Sequence, residues 1–134
     1  MHKVLGIEHI AIAVKNAEKS VEIFTKLLGT PPYKEEIVES EGVKTIFFKV
    51  GNTKIELLEP LNEDSTIHKF IEKRGEGLHH IALAVENVAE SLQVLQQEFK
   101  LIHKEPKKGA DNKLIAFLHP KSTNKVLVEL CSGE

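Results

Sequence analysis

The sequence has one cysteine, no tryptophan and one tyrosine in 134 residues. A single cysteine excludes an internal disulfide and fits a reducing compartment. Cys131, near the end of the last apolar run, reads as a small buried side chain rather than a nucleophile. Without tryptophan and with one tyrosine, an aromatic cage or a base-stacking platform is not expected. Neither charge sign dominates: 18 Lys and Arg stand against 20 Asp and Glu, and the bases are spread along the chain. A broad basic surface for nucleic acid is therefore excluded. No apolar run approaches the ~20 residues of a membrane span. Met1-His2-Lys3-Val4 leads directly into a strand with no secretory or transit signal, so a cytoplasmic protein is expected. Apolar residues at 41% and charged residues at 28% suit one globular domain, 1–134, with room for a sizeable core.

What is present is a repeat. Gly6-Ile7-Glu8-His9-Ile10-Ala11-Ile12-Ala13-Val14 aligns without a gap on Gly77-Leu78-His79-His80-Ile81-Ala82-Leu83-Ala84-Val85. Both runs are short and rich in aliphatic residues, which predicts strands. With a side-chain period of two, His9 shares a face with Ala11 and Ala13, and His80 with Ala82 and Ala84. Asn16 and Asn87 follow as N-caps. After them the apolar stripe Ala17, Val21, Phe24, Leu28 recurs as Val88, Leu92, Leu95, Phe99, which predicts amphipathic helices over 17–28 and 88–99. Gly29 closes the first as a C′ residue.

The remainder completes the unit. Strands are expected at 33–41 (acidic, at an edge, ending at Gly42), 43–50 and 54–58, the last two joined by a Gly51-Asn52 turn. Asn62-Glu63-Asp64-Ser65 opens a short helix that buries Ile67, Phe70 and Ile71 and ends at Gly75 and Gly77. Later strands are expected near 101–105, at 114–118 and at 125–130, the final hairpin turning at His119-Pro120-Lys121-Ser122. The fold class is thus α+β: two tandem βαβββ units, 4–61 and 78–131, joined by a connecting helix in 62–77. They are expected to form one curved mixed sheet around a cleft with helices outside.

Repetition also singles out four side chains. Glu56 lies in Ile55-Glu56-Leu57-Leu58, the last strand of the first unit, and Glu129 lies in Val128-Glu129-Leu130, its counterpart in the second. A carboxylate inside an apolar strand requires a cation or a donor. His9, Glu56, His80 and Glu129 form a symmetrical set of two imidazoles and two carboxylates. Such a set suits a borderline divalent ion such as Co²⁺, Mn²⁺, Fe²⁺, Ni²⁺ or Zn²⁺, and Ca²⁺ less so. Four protein ligands leave positions open, as in catalytic sites. His79 points to the opposite face and is expected to be structural. His2, His68 and His103 are expected at the surface, and His119 in a turn.

Three of these stretches, Ile7-Glu8-His9-Ile10-Ala11, Glu56-Leu57-Leu58-Glu59-Pro60-Leu61 and Gly77-Leu78-His79-His80-Ile81-Ala82, give the chain its likeness. So do Asn62-Glu63-Asp64-Ser65-Thr66, Glu105-Pro106-Lys107-Lys108-Gly109, Phe117-Leu118-His119-Pro120-Lys121-Ser122 and Val126-Leu127-Val128-Glu129-Leu130. Over nearly its whole length the chain resembles the vicinal oxygen chelate superfamily of glyoxalases, extradiol dioxygenases and bleomycin-resistance proteins. Within it the methylmalonyl-CoA epimerases are the nearest likeness. The resemblance implies metal ligation by His9, Glu56, His80 and Glu129. It also implies inversion at C2 of methylmalonyl-CoA through an enolate-like intermediate, and a homodimer. Inversion needs a proton acceptor and a proton donor. Glu129 is the candidate for one of them, doubling as ligand. Where some members carry a second glutamate this chain has Thr45, which cannot serve, and Glu41 or a metal-bound water are the substitutes. Lys107, Lys108 and Lys121 are candidates for contact with CoA phosphates. A glyoxalase I would use a similar site on a glutathione hemithioacetal, but segments 59–66 and 105–122 favour the CoA thioester. A ring-cleaving dioxygenase needs only two His and one carboxylate, and a non-catalytic binding protein of this fold would need no ligand set.

Overall fold

The computed structural model describes residues 2–133. In chain order its elements are β1 (Val4–Ala13), α1 (Ala17–Leu28), β2 (Lys34–Val38), β3 (Val43–Val50) and β4 (Thr53–Pro60). There follow α2 (Thr66–Arg74), β5 (Gly77–Val85), α3 (Val88–Leu95), β6 (Lys107–Lys108), β7 (Lys113–Leu118) and β8 (Val128–Gly133). This is βαβββ twice around a connecting helix, the α+β class read from the sequence. No helix among the described residues is long and apolar enough to cross a membrane.

The chain divides into two compact units. One is Ile10–His79, and the other joins the described residues through His9 to those from His80 onward. In the first the strand order is β2-β3-β4-β1, with β1 contributing its second part. The β3–β4 hairpin pairs Ile46 with Leu57, Phe47 with Glu56 and Phe48 with Ile55. Alternation therefore sends Ile46, Phe48, Ile55 and Leu57 to one face, where the Val21, Phe24 and Leu28 stripe of α1 packs on them. Thr45, Phe47 and Glu56 take the other face. The Asn16 side chain caps α1 by accepting from the Lys19 N–H at 3.0 Å, and Glu59 accepts from the Ala17 N–H at 2.7 Å. Carboxylate oxygen at a helix N-terminus also meets the positive end of the dipole. Gly29, at φ 74°, ends the helix in the left-handed conformation that glycine adopts freely.

The acidic strand expected at 33–41 stops at Val38. Glu39–Glu41 instead form a 3₁₀ turn that ends at Gly42, whose φ is 63°. A Cβ on Gly42 would stand 3.2 Å from the Ser65 Cβ, so both conformation and space favour glycine there. Ser65 caps α2 through the Ile67 N–H, and Ile67 and Ile71 pack with Ala11, Ala13, Val43 and Leu58.

In the other unit the order is β1-β5-β8-β7-β6, β1 contributing its first part. β5 and β8 run parallel with Ala82 opposite Glu129, while β7 and β8 run antiparallel with Phe117 opposite Glu129. Ile81, Leu83, Val85, Ala116, Leu118, Val128 and Leu130 face α3, packing with Val88, Leu92, Leu95 and Phe99. His80, Ala82, Phe117 and Glu129 are left on the opposite face.

Five expectations change here. α3 ends at Leu95 rather than at residue 99. Its last turn tightens, Glu98 and Phe99 both donating to the Leu95 carbonyl at 3.0 and 2.8 Å, and this brings Phe99 down onto the core. No strand forms over 101–105; only a Leu101–Leu118 bridge does. The Phe117 N–H that would extend that ladder is taken at 3.0 Å by Nδ1 of His103, and Pro106 has no N–H to give. His103 is therefore a half-buried ladder terminator rather than a surface residue. His2 likewise is half-buried, its Nδ1 lying 2.8 Å from the Ser91 Oγ. Finally, β8 begins at Val128, three residues later than expected, because Asn124 and Lys125 adopt positive φ (54° and 68°) and prolong the turn.

Candidate metal centre

β1, β5 and β8 each contribute one buried side chain to a single point. The Nε2 atoms of His9 and His80 are 3.2 Å apart. Oε1 of Glu129 lies 3.0 Å from the first and 3.5 Å from the second. All three residues are buried, with 5%, 7% and 5% of their surface exposed. The His80 ring is closed off on one side by Phe117, edge-to-face at 5.1 Å. Oε1 of Glu129 is buried and receives no well-directed hydrogen bond. A carboxylate oxygen left this way is costly unless a cation completes it. The separations are those of donors sharing one first-row divalent ion at about 2.0–2.2 Å. The residues therefore fit a metal.

Electrostatics agree. Burial pushes the Glu129 carboxyl up, but the adjacent His80 and His9 rings outweigh it and hold the group down at about 2, from an ordinary 4.5. Because the folded-state value is depressed, this carboxylate stabilises the fold above pH 4.5, and that contribution is lost as pH falls toward 2. At about 1.4 kcal/mol per unit the loss is on the order of 3 kcal/mol at most. Denaturant unfolding of the metal-free protein should show it as a difference between wild type and Glu129→Gln that shrinks across that window. A difference that does not change with pH would contradict the assignment.

Of the other residues expected at the site, Glu56 is 6% exposed, in β4 of the Ile10–His79 unit, on the face of Thr45 and Phe47. Thr45 is 2% exposed. Glu41 lies in the 3₁₀ turn before β3. Lys107 pairs with Ile115, two residues from Phe117 along β7, which gives it the face that carries Glu129. Lys108 takes the opposite face, and Lys121 is exposed in the β7–β8 connection, where His119 Nδ1 accepts its N–H at 3.0 Å. His119 is thus a turn-forming residue, as expected. His79 packs edge-to-face on Phe70 at 4.8 Å, also as expected. Sequence reasoning missed Glu8, whose Oε1 is 2.5 Å from Nδ1 of His9. Strand alternation assigns neighbours to opposite faces, so the only available signal was its adjacency to His9.

The sequence profile of the Glyoxalase/Bleomycin resistance protein/Dioxygenase superfamily matches residues 8–117, and the chain belongs to that superfamily. Among its relatives are the methylmalonyl-CoA epimerases. The human mitochondrial enzyme is 38% identical over 126 residues, covering 92% of this chain and 72% of the relative. A variant of the Streptomyces coelicolor methylmalonyl-CoA epimerase, solved in complex with 2-nitronate-propionyl-CoA, superposes with a TM-score of 0.92 at 32% identity, covering 98% of this chain and 96% of that one. The uncharacterized protein YqjC of Bacillus subtilis is 44% identical over 126 residues, covering 93% of this chain and 90% of its own.

Proposed function

We propose that this protein is a metal-dependent methylmalonyl-CoA epimerase, interconverting the (R)- and (S)-epimers by removing and returning the C2 proton. The observation that carries the reading is the convergence of two imidazole Nε2 atoms and an ionised, buried carboxylate within 3.0–3.5 Å. The named epimerase relatives, one of them holding a CoA ligand, support the substrate class.

His9, His80 and Glu129 would hold the ion, Co²⁺ foremost. Glu56, buried at the place in the first repeat that Glu129 has in the second, is the proposed fourth ligand. When bound, the ion supplies positive charge for the thioester and carboxylate oxygens on which negative charge develops as C2 loses its proton. Glu129 accepts the C2 proton on one face, and a second carrier, Glu41 or a water, returns a proton to C2 on the other. The neighbouring His80 imidazole keeps the Glu129 carboxylate ionised in the resting site. Phe117 and the buried strand faces exclude water, which strengthens each of these interactions. Lys107, on the Glu129 face, is the best placed of the three lysines to meet an anionic part of the substrate, with Lys108 and Lys121 on the outer side for phosphate. A homodimer belongs to the same reading and rests on the resemblance.

The test is deuterium incorporation at C2 of methylmalonyl-CoA in heavy water, with Co²⁺-loaded and chelator-treated protein side by side. Metal-dependent exchange together with interconversion of the epimers is expected. Protein that binds Co²⁺ yet exchanges no deuterium would overturn the epimerase reading and direct the search to hemithioacetals.

A further inference from the structure

The two halves of the repeat treat their histidines differently. Glu8 aligns with His79, and each immediately precedes the strand histidine of its unit. His79 spends its ring on Phe70. Glu8 turns back along β1 instead and meets Nδ1 of His9 at 2.5 Å, with only 12% of its side chain exposed. An ionised carboxylate only accepts, so the proton in this bond belongs to Nδ1 of the imidazole. With Nδ1 protonated, Nε2 keeps its lone pair, and Nε2 is the atom that lies 3.0 Å from Glu129 and 3.2 Å from His80. The bond also fixes the ring about its Cβ–Cγ axis, since a flip would break it.

From this we infer that Glu8 is a positioning residue of the metal site: it selects the Nδ1–H tautomer of His9 and raises the basicity of the Nε2 that ligates. The inference rests on the metal-site reading above and extends it to a residue that acts through His9. A carboxylate behind a ligating imidazole is a general way of orienting and strengthening the ligand, and its removal weakens metal binding by about 10–100-fold.

Two readouts other than turnover test this. Imidazole nitrogen NMR of the metal-free protein should show His9 protonated at Nδ1 in the wild type and shifted toward the Nε2–H tautomer in Glu8→Ala. Titration with Co²⁺, followed by its visible absorption and by competition with a chelator, should give a Kd about 10–100-fold weaker in Glu8→Ala. Glu8→Gln, which keeps an acceptor oxygen and loses the charge, should lie between the two. It also carries the test if the alanine variant does not fold. A wild-type His9 found as the Nε2–H tautomer, or a Co²⁺ affinity unchanged in both variants, would overturn the role of Glu8 alone. A wild-type protein with no affinity for Co²⁺ would overturn the metal site itself and Glu8 with it.

Discussion

Replacing Glu129 by glutamine is expected to lower the rate of C2 proton exchange by about 10²–10⁴-fold, the usual worth of a positioned general base. The substitution is nearly isosteric, and its amide oxygen still offers a lone pair beside the two Nε2 atoms, so the site keeps its shape. Two roles then come apart. As ligand, glutamine is neutral and weaker, and Co²⁺ affinity should fall. As base it is inert, because an amide does not accept a proton at neutral pH. Measured at saturating Co²⁺, the exchange rate reports the second role alone. If the variant exchanges at the wild-type rate once loaded, Glu129 is a ligand only and another group moves the proton.

Phe48→Ala should cost about 3–5 kcal/mol, the range for emptying a buried phenylalanine site. Phe48 is fully buried on β3, packed among Val14, Ala17, Ile46 and Leu57, and its ring meets that of Phe24 on α1 at 6.2 Å. The loss removes one of the apolar contacts that hold α1 on its sheet. Against a typical total of about 5–15 kcal/mol this is a large fraction. A fall in Tm on the order of 10–20 °C follows. Calorimetry would settle it: a fall of under about 3 °C would mean that the site repacks and that α1 is held elsewhere.

The parts of the fold that could be read from the sequence are those decided locally or repeated. Asn16, Asn87 and Gly29 act within one turn of where they stand, so the helix starts and the end of α1 were legible. His9, His80 and Glu129 were legible because one unit occurs twice, and equivalence in sequence becomes proximity in space. Glu8 was not, since its bond to His9 runs against the alternation that made the rest of β1 readable. The strand expected near 101–105 failed for a non-local reason: His103 takes a hydrogen bond fourteen residues away that a ladder needed. The early end of α3 has the same character. Its stripe continues to Phe99, but the core reaches Phe99 more readily through a tightened turn than through a full helical one.

The division of the chain has a bearing on the order in which the molecule is built. The Ile10–His79 unit is one continuous stretch of chain. The unit that holds His9, His80 and Glu129 is made from two separated stretches, and β8, which carries Glu129, lies near the end of the described chain. Its closure has to bring those two stretches together across a long intervening segment, a slow step in any folding reaction. His9, His80 and Glu129 therefore come together only when those two stretches meet. A chain in which they have not yet met presents no such cluster to an ion.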